Sequence, residues 1–200
     1  MKKEKLQFFD GLAMQWEEMF YRDGRQAAEL DALVRTYGIV PGSRVLDVGC
    51  GTGVVLERLS AAVGINGRVV GCDFSLPMLV CARRKDKLNC RFLCSDAQAV
   101  GVKSGSFTHV VYFSCFPHFD DKEQALREAF RLLKPGGSLI ISHLLSSEEI
   151  AGVHHRAGKA VCSDVLPTRQ WFSATLEAIG FCLDAFTDRP GLFHLKATKK

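Results

Sequence analysis

No apolar run in this chain is long enough to cross a membrane. The longest, around 109–117 and 138–145, fall far short of roughly 18 residues, and no apolar signal core follows the opening lysines, so a cytoplasmic protein is expected. Excess charge is also missing from the body of the chain. The 26 Lys and Arg against 22 Asp and Glu leave +4, of which residues 1–5 supply +2 and Lys199 with Lys200 supply +2. Neither nucleic acid nor an anionic membrane is therefore implied as a partner. The eight cysteines, at 50, 72, 81, 90, 94, 115, 162 and 182, contain no C-x-x-C pair. They read as small buried apolar residues instead of staples or ligands, and no resident metal is expected. Internal repeats and low-complexity linkers are absent, which leaves one domain over residues 1–200.

The 47% hydrophobic and 24% charged residues are enough to build a core and a solvated surface. Short β-rich runs alternate with amphipathic stretches, the pattern of an α/β domain. Strands are expected at 44–49, 68–74, 90–95, 107–114 and 137–144, with helices at 53–63, 75–86 and 120–133. The last of these is expected to stop at LKPGG, where Pro135 and two glycines break it. Near-continuous apolarity marks the first, fourth and fifth strands as central. Two further helices, 6–20 and 25–37, precede the first strand. After the fifth strand come helical stretches at 146–160 and 167–179, then a hairpin over 181–198 turning at Pro190 and Gly191. Seven strands result, in a mostly parallel sheet with helices on both faces and an antiparallel C-terminal strand.

VLDVGCGTG at 45–53 is a buried strand that runs through a glycine loop into a helix. Ligands of open α/β sheets bind at the carboxyl ends of strands, and glycines let backbone approach them closely. A dinucleotide fingerprint fails in both registers, because its third glycine position falls on Val54 or on Leu56. A P-loop is excluded because no G-K-[ST] follows. What remains is D-x-G-x-G-x-G.

Here the sequence resembles the class I S-adenosylmethionine-dependent methyltransferases. Asp47, Gly49, Gly51 and Gly53 match the first motif of that family, an acidic residue followed by G-x-G-x-G. Asp73 ends the second strand in VVGCDFS, Asp96 follows the third in CSDAQ, and LKPGG at 133–137 precedes the fifth. The resemblance runs over about residues 8–198 and implies a Rossmann-like fold with S-adenosyl-L-methionine as cofactor. It further implies that Asp73 accepts from both ribose hydroxyls, with Phe74 and Met78 sandwiching the adenine. Asp96 would accept from the adenine amine beside Ser95 and Ala97, and Cys50 and Phe113 would join the same site. Asp47 would orient the glycine loop and reach the cofactor's amino end through water or backbone.

The acceptor of the methyl group is expected over the fourth and fifth strand ends. His143, at the end of the fifth strand, and His154, in the following helix, are the candidate catalytic residues, as base, clamp or ligands to a metal. The bland alternative makes them capping or solvated histidines. His118 and His155 are further candidates on the substrate side, His118 either lining the pocket or facing solvent. Asp164 reads as a cap for the helix at 167–179 in preference to an orienting partner. FFDGLAMQWEEM at 8–19 resembles the opening segment of many small-molecule methyltransferases, and its helix would lay Phe9, Trp16 and Phe20 over the site as a lid. On this plan residues 1–38 form a helical cap, 39–145 the cofactor-binding core, and 146–200 the acceptor-side helices and hairpin. A neutral body of 200 residues, with no N/D-P-P-Y/F core after the fourth strand, where Ser114, Cys115, Phe116 and Pro117 stand, favours a small-molecule acceptor. Two other readings remain open: a non-catalytic S-adenosylmethionine-binding sensor or partner subunit, and an arsenite or thiol methyltransferase using Cys115 and Cys162.

Overall fold

The computed structural model describes residues 3–20, 24–85 and 89–200. Its centre is a seven-stranded sheet in the order β3-β2-β1-β4-β5-β7-β6. The strands are β1 (Arg44–Val48), β2 (Arg68–Asp73), β3 (Cys90–Cys94), β4 (Phe107–Phe113), β5 (Leu133–His143), β6 (Phe181–Arg189) and β7 (Leu192–Lys199). The first five are parallel, and β7 runs antiparallel between β5 and β6. The turn between β6 and β7 falls at Pro190 and Gly191, as the sequence implies.

The two-residue period of a strand explains why the sheet is covered on both faces. Leu46, Val110, Tyr112, Leu139 and Ile141 pack into one core with Phe116, Phe172, Phe181 and Phe193. Their neighbours Val45, Val111, Phe113 and Ile140 point the other way, onto Leu30, Leu33, Leu56 and Leu59. The first core is closed by α6 (Lys122–Leu132) and α8 (Arg169–Ile179), the second by α3 (Gly24–Thr36) and α4 (Leu56–Val63). Side-chain caps set where several helices begin. Ser75 accepts from the Met78 amide to start α5 (Leu76–Arg83), Asp121 starts α6, and Ser146 with Glu149 forms a reciprocal box at the head of α7 (Ser147–Ala157).

Five expectations need correction. The helix at 6–20 is two helices, α1 (Lys3–Leu12) and α2 (Trp16–Phe20), separated by a turn whose buried Ala13 packs with Phe9, Met78 and Val161. That turn lets Phe9 and Trp16 face the same cavity, with ring centroids 5.8 Å apart. The Phe20 side chain, the third aromatic expected on this face, lies outside the described residues. α4 begins at Leu56, not 53, since Gly51 and Gly53 carry positive φ. α6 ends at Leu132, ahead of Pro135. β5 already starts at Leu133, pairs with Phe107, and then bulges so that Ser138 meets His109. α7 ends at Ala157, before the positive-φ Gly158. Of the cysteines, 94, 162 and 182 are exposed, so not all eight are core filler.

Candidate active site

The C-terminal ends of β1, β2 and β4 deliver the glycine loop, Asp47, Asp73 and Phe113 to one cavity. Gly49 sits at φ +66, and a Cβ there would stand 2.6 Å from the Cβ of Cys115. Only glycine allows that close approach of the loop to Cys115, just past β4. At Gly51, φ +52, the nearest atom to such a Cβ is Met78 Sδ at 3.9 Å, so the added atom would take up cavity space. Gly53 does not line the cavity; its missing Cβ leaves room for Leu56, which would otherwise lie 2.6 Å away.

The loop-orienting role expected of Asp47 falls to Asp73. Asp73 holds the glycine loop: its Oδ2 accepts from the Gly51 amide at 2.8 Å and its Oδ1 from the Ser75 amide at 2.8 Å. Burial raises the Asp73 pKa from its ordinary value, and these amide bonds partly offset the rise. Asp47 makes no hydrogen bond to the loop. It is fully buried, both carboxylate oxygens lack a partner among the described residues, and it faces the cavity. Burial first, and the neighbouring Asp73 charge second, push its carboxyl up to about 8.

Cys50, Phe74, Met78, Ser95 and Ala97 line the same cavity. Asp96 does not reach its wall. The Asp96 Oδ1 accepts instead from the amide and side chain of Gln98, at 2.9 and 3.1 Å.

A second chamber of about 360 Å³ adjoins the first. Phe9, Trp16, Ser114 and His118 line both. Ser114 follows β4 directly at φ +53, the single non-glycine residue with positive φ among those described, and its amide donates to the Ser142 carbonyl at 2.9 Å. Strain of this kind is kept where the surroundings enforce a special geometry. The rest of the chamber is mostly apolar, with Phe8, Leu144, Ile150 and Val161 prominent, together with His143 and His154.

Three imidazoles thus border this chamber in different states. His143 is buried with its Nε2 unpartnered, and burial, followed by repulsion from His118 and His154, pushes it down to about 3. His118 is buried as well, which settles the choice left open for it against solvent. Its Nδ1 lies 2.8 Å from Asp164 Oδ2, and its ring stands 4.6 Å from that of His154. His154 Nδ1 lies 2.6 Å from the Asp164 carbonyl. His155 is exposed and borders neither cavity. No group of three or more His, Cys, Asp or Glu is arranged to hold a metal ion among the described residues.

Asp164 corrects the expectation of a helix cap. Thr168 caps α8, while Asp164 is buried and orients His118. Its Oδ1 is paired at 2.8 Å with Lys5 from α1, and Lys5 also donates to the His118 carbonyl at 2.8 Å. Sequence reasoning passed over Lys5, counting it with the charged N-terminal residues. The available signal was its place four residues before Phe9, on the same helical face. Cys115 lines the first cavity and donates to the Val48 carbonyl, whereas Cys162 is exposed and borders neither chamber, so no dithiol site is assembled from the two.

Comparison with known proteins agrees with this geometry. Residues 45–137 match a family model described as a methyltransferase domain. A demethylmenaquinone methyltransferase of Lactococcus lactis is 33% identical over 138 residues, covering 67% of this chain and 54% of the relative. A demethylmenaquinone methyltransferase of Thermus thermophilus is 42% identical over 105 residues, covering 49% of this chain and 46% of the relative. The chain spans about half the length of these curated relatives. The crystal structure of a SAM-dependent methyltransferase from Aquifex aeolicus superposes with a TM-score of 0.71 at 22% identity, covering 86% of this chain and 89% of that one. No helix among the described residues is long and apolar enough to cross a membrane.

Proposed function

We propose that this chain, a member of the class I S-adenosylmethionine-dependent methyltransferases, transfers a methyl group to a small, flat, largely apolar acceptor held in the second chamber. The observation that carries this reading is the wall shared by the two cavities. Phe9, Trp16, Ser114 and His118 stand where a group leaving the first cavity would enter the second.

The residues present fit the cofactor. Asp47 offers a buried, unpartnered carboxyl to a cavity that Asp73 also faces, a setting that favours a cationic ligand. The cofactor carries an ammonium and a sulfonium, and Gly51 leaves backbone bare where a side chain would intrude. Asp73 keeps lone pairs for a pair of hydroxyls beyond the two amides it already accepts from. When bound, the cofactor supplies an electrophilic methyl whose bond to sulfur breaks as the acceptor forms its own.

The chain's part is alignment and exclusion of water. Residues 1–38 place Phe9 and Trp16 over both chambers, 39–145 hold the cofactor, and 146–200 wall the acceptor. The named activity of the two relatives is methylation of demethylmenaquinone, and the aromatic and aliphatic lining here suits a hydroxylated aromatic ring of that general kind.

Calorimetry with S-adenosylhomocysteine tests the cofactor half, with micromolar binding expected and loss on Asp73→Ala. Isotope-labelled methyl donor with 1,4-naphthohydroquinone, and then with cell extract as acceptor source, tests transfer. Binding without transfer to any acceptor would point to a cofactor-binding sensor, and millimolar or weaker binding would refute the whole reading.

A further inference from the structure

His118 differs from the other histidines in two respects. Among the described histidines it alone borders both the cofactor cavity and the acceptor chamber. It is also the one whose ring is held by a buried carboxylate, Asp164, itself anchored by Lys5. A carbonyl oxygen can only accept, so the contact between His154 Nδ1 and the Asp164 carbonyl places a proton on that Nδ1. Asp164 is kept ionised. Burial pushes its pKa up, but hydrogen bonds from His118 and Lys5 outweigh this and hold it below the usual carboxylate value. An ionised carboxylate also only accepts, so neutral His118 carries its proton on Nδ1 and presents a bare Nε2 lone pair. The Phe9 ring, 5.0 Å away at 69°, limits how the imidazole can turn.

We propose that His118 is the catalytic residue on the acceptor side, its Nε2 taking the proton that an acceptor hydroxyl gives up during methyl transfer, with Asp164 as the positioning residue that sets its tautomer. The proposal rests on the methyl-transfer reading above. The balance is complete without a further reagent. The O–H bond breaks toward Nε2, and the electron pair left on that same oxygen forms the bond to the methyl carbon. The methyl–sulfur pair stays on sulfur. One positive charge disappears at sulfur and one appears on the imidazolium, beside the Asp164 carboxylate. The imidazolium then returns its proton to water.

The groups around the ring are Lys5 from α1, Asp120 and Lys122 at the head of α6, His143 at the end of β5, His154 from α7, and Asp164. Burial, the largest influence, lowers the His118 pKa below its ordinary 6.5, Asp164 raises it, and His154 and Lys5 lower it. The net effect is a neutral base at pH 7, lost as pH falls through the lowered value. His143 and His154 border the acceptor chamber alone, which suits them to contacts with the acceptor's body.

Long-range proton–nitrogen NMR on the wild-type chain labelled at histidine nitrogen, with S-adenosylhomocysteine bound, reads the tautomer directly. The His118 ring is assigned through its contact with Phe9, so no variant is required. A neutral ring with its proton on Nδ1 at pH 7.5 is expected. A cationic ring, or a proton on Nε2, would overturn the proposal.

The second arm follows methyl transfer to 1,4-naphthohydroquinone. His118→Gln should lower kcat by about 10²- to 10⁴-fold, while S-adenosylhomocysteine affinity and the KM for the hydroquinone change by less than about threefold. Asp164→Asn should lower kcat and move the acid limb of kcat/KM to lower pH, which a purely structural role would leave in place. Retention of kcat by a folded His118→Gln overturns the proposal. If the wild type binds S-adenosylhomocysteine but leaves this hydroquinone unmethylated, the choice of acceptor class fails and the NMR result alone decides the state of His118. Absence of S-adenosylhomocysteine binding refutes the methyltransferase reading itself.

Discussion

Replacing Asp47 by Asn should stabilise the cofactor-free protein at alkaline pH and weaken cofactor binding, and both effects follow from one buried carboxyl. Asp47 ionises near 3.8 when the chain is unfolded and near 8 when folded, because burial and the neighbouring Asp73 charge oppose its ionisation. Between those two values the folded state keeps a proton that the unfolded state has released. Stability therefore falls as pH rises through this window, by about 1.4 kcal/mol per pH unit, and levels off above the folded value. Asn does not titrate and shows no such slope. From pH 6 to pH 8 the variant should gain about 2.3 kcal/mol on the wild type, since the folded carboxyl is half ionised at pH 8, which for a chain of this size is roughly 5–9 °C in Tm. Thermal unfolding followed by circular dichroism at pH 6, 7, 8 and 9 reads this directly: the gap in Tm should widen to pH 8 and then hold. Saturating S-adenosylmethionine should flatten the wild-type slope, since a cation beside the carboxyl favours its ionised form. Calorimetry at pH 8 should show the Asn variant binding S-adenosylhomocysteine at least about tenfold more weakly, the equivalent of about 1.4 kcal/mol. A Tm gap that stays constant from pH 6 to 9 would refute the assignment of Asp47 as a buried, raised carboxyl.

Gly49→Ala should cost about 2–4 kcal/mol in urea unfolding, because it combines positive φ with a Cβ 2.6 Å from Cys115. Gly51→Ala should cost only about 1 kcal/mol in stability, yet reduce S-adenosylhomocysteine affinity, since its Cβ enters open cavity. Equal stability losses for the two would contradict the geometry. Lys5→Met leaves buried Asp164 without its cation and should cost about 3 kcal/mol in denaturant unfolding; a neutral result would show that the pair is not closed in solution. His143→Gln should protect against acid. The folded value of about 3 lies below the ordinary 6.5, so wild-type stability is lost as pH falls from 6.5, by about 2.7 kcal/mol on reaching pH 4.5. The variant's unfolding curves should lack that share of the slope.

Periodicity made the sheet legible. Runs such as RVLDV and FTHVVYF alternate between two apolar faces, and the number of strands follows from counting them. The parallel order follows from the helices between them. The glycine loop was legible for a related reason, because its requirements are local: positive φ at Gly49, Gly51 and Gly53 is written in three residues. The helix breaks were less so. The turn after Leu12 and the bulge at the start of β5 depend on what packs against Ala13 and on the register with β4, neither of which a local window contains.

What the sequence alone determined about this protein is therefore its fold, its glycine loop and the strand ends where a cofactor would lie. Even there it assigned the loop's anchor to Asp47, because a motif specifies which residue types stand at a strand end and not where their oxygens point. Only the tertiary structure decided that Asp73 holds the loop while Asp47 stands unpartnered, and that Asp164 serves His118 in place of a helix. Lys5, His118 and Asp164 are separated by 113 and 46 residues along the chain. No helical or strand period links such positions, and they meet because α1 and the segment before α8 both bond to His118, in the stretch that follows β4. Burial then does what sequence cannot display: it makes each of these charges depend on the others, since a lone charge is costly once water is removed.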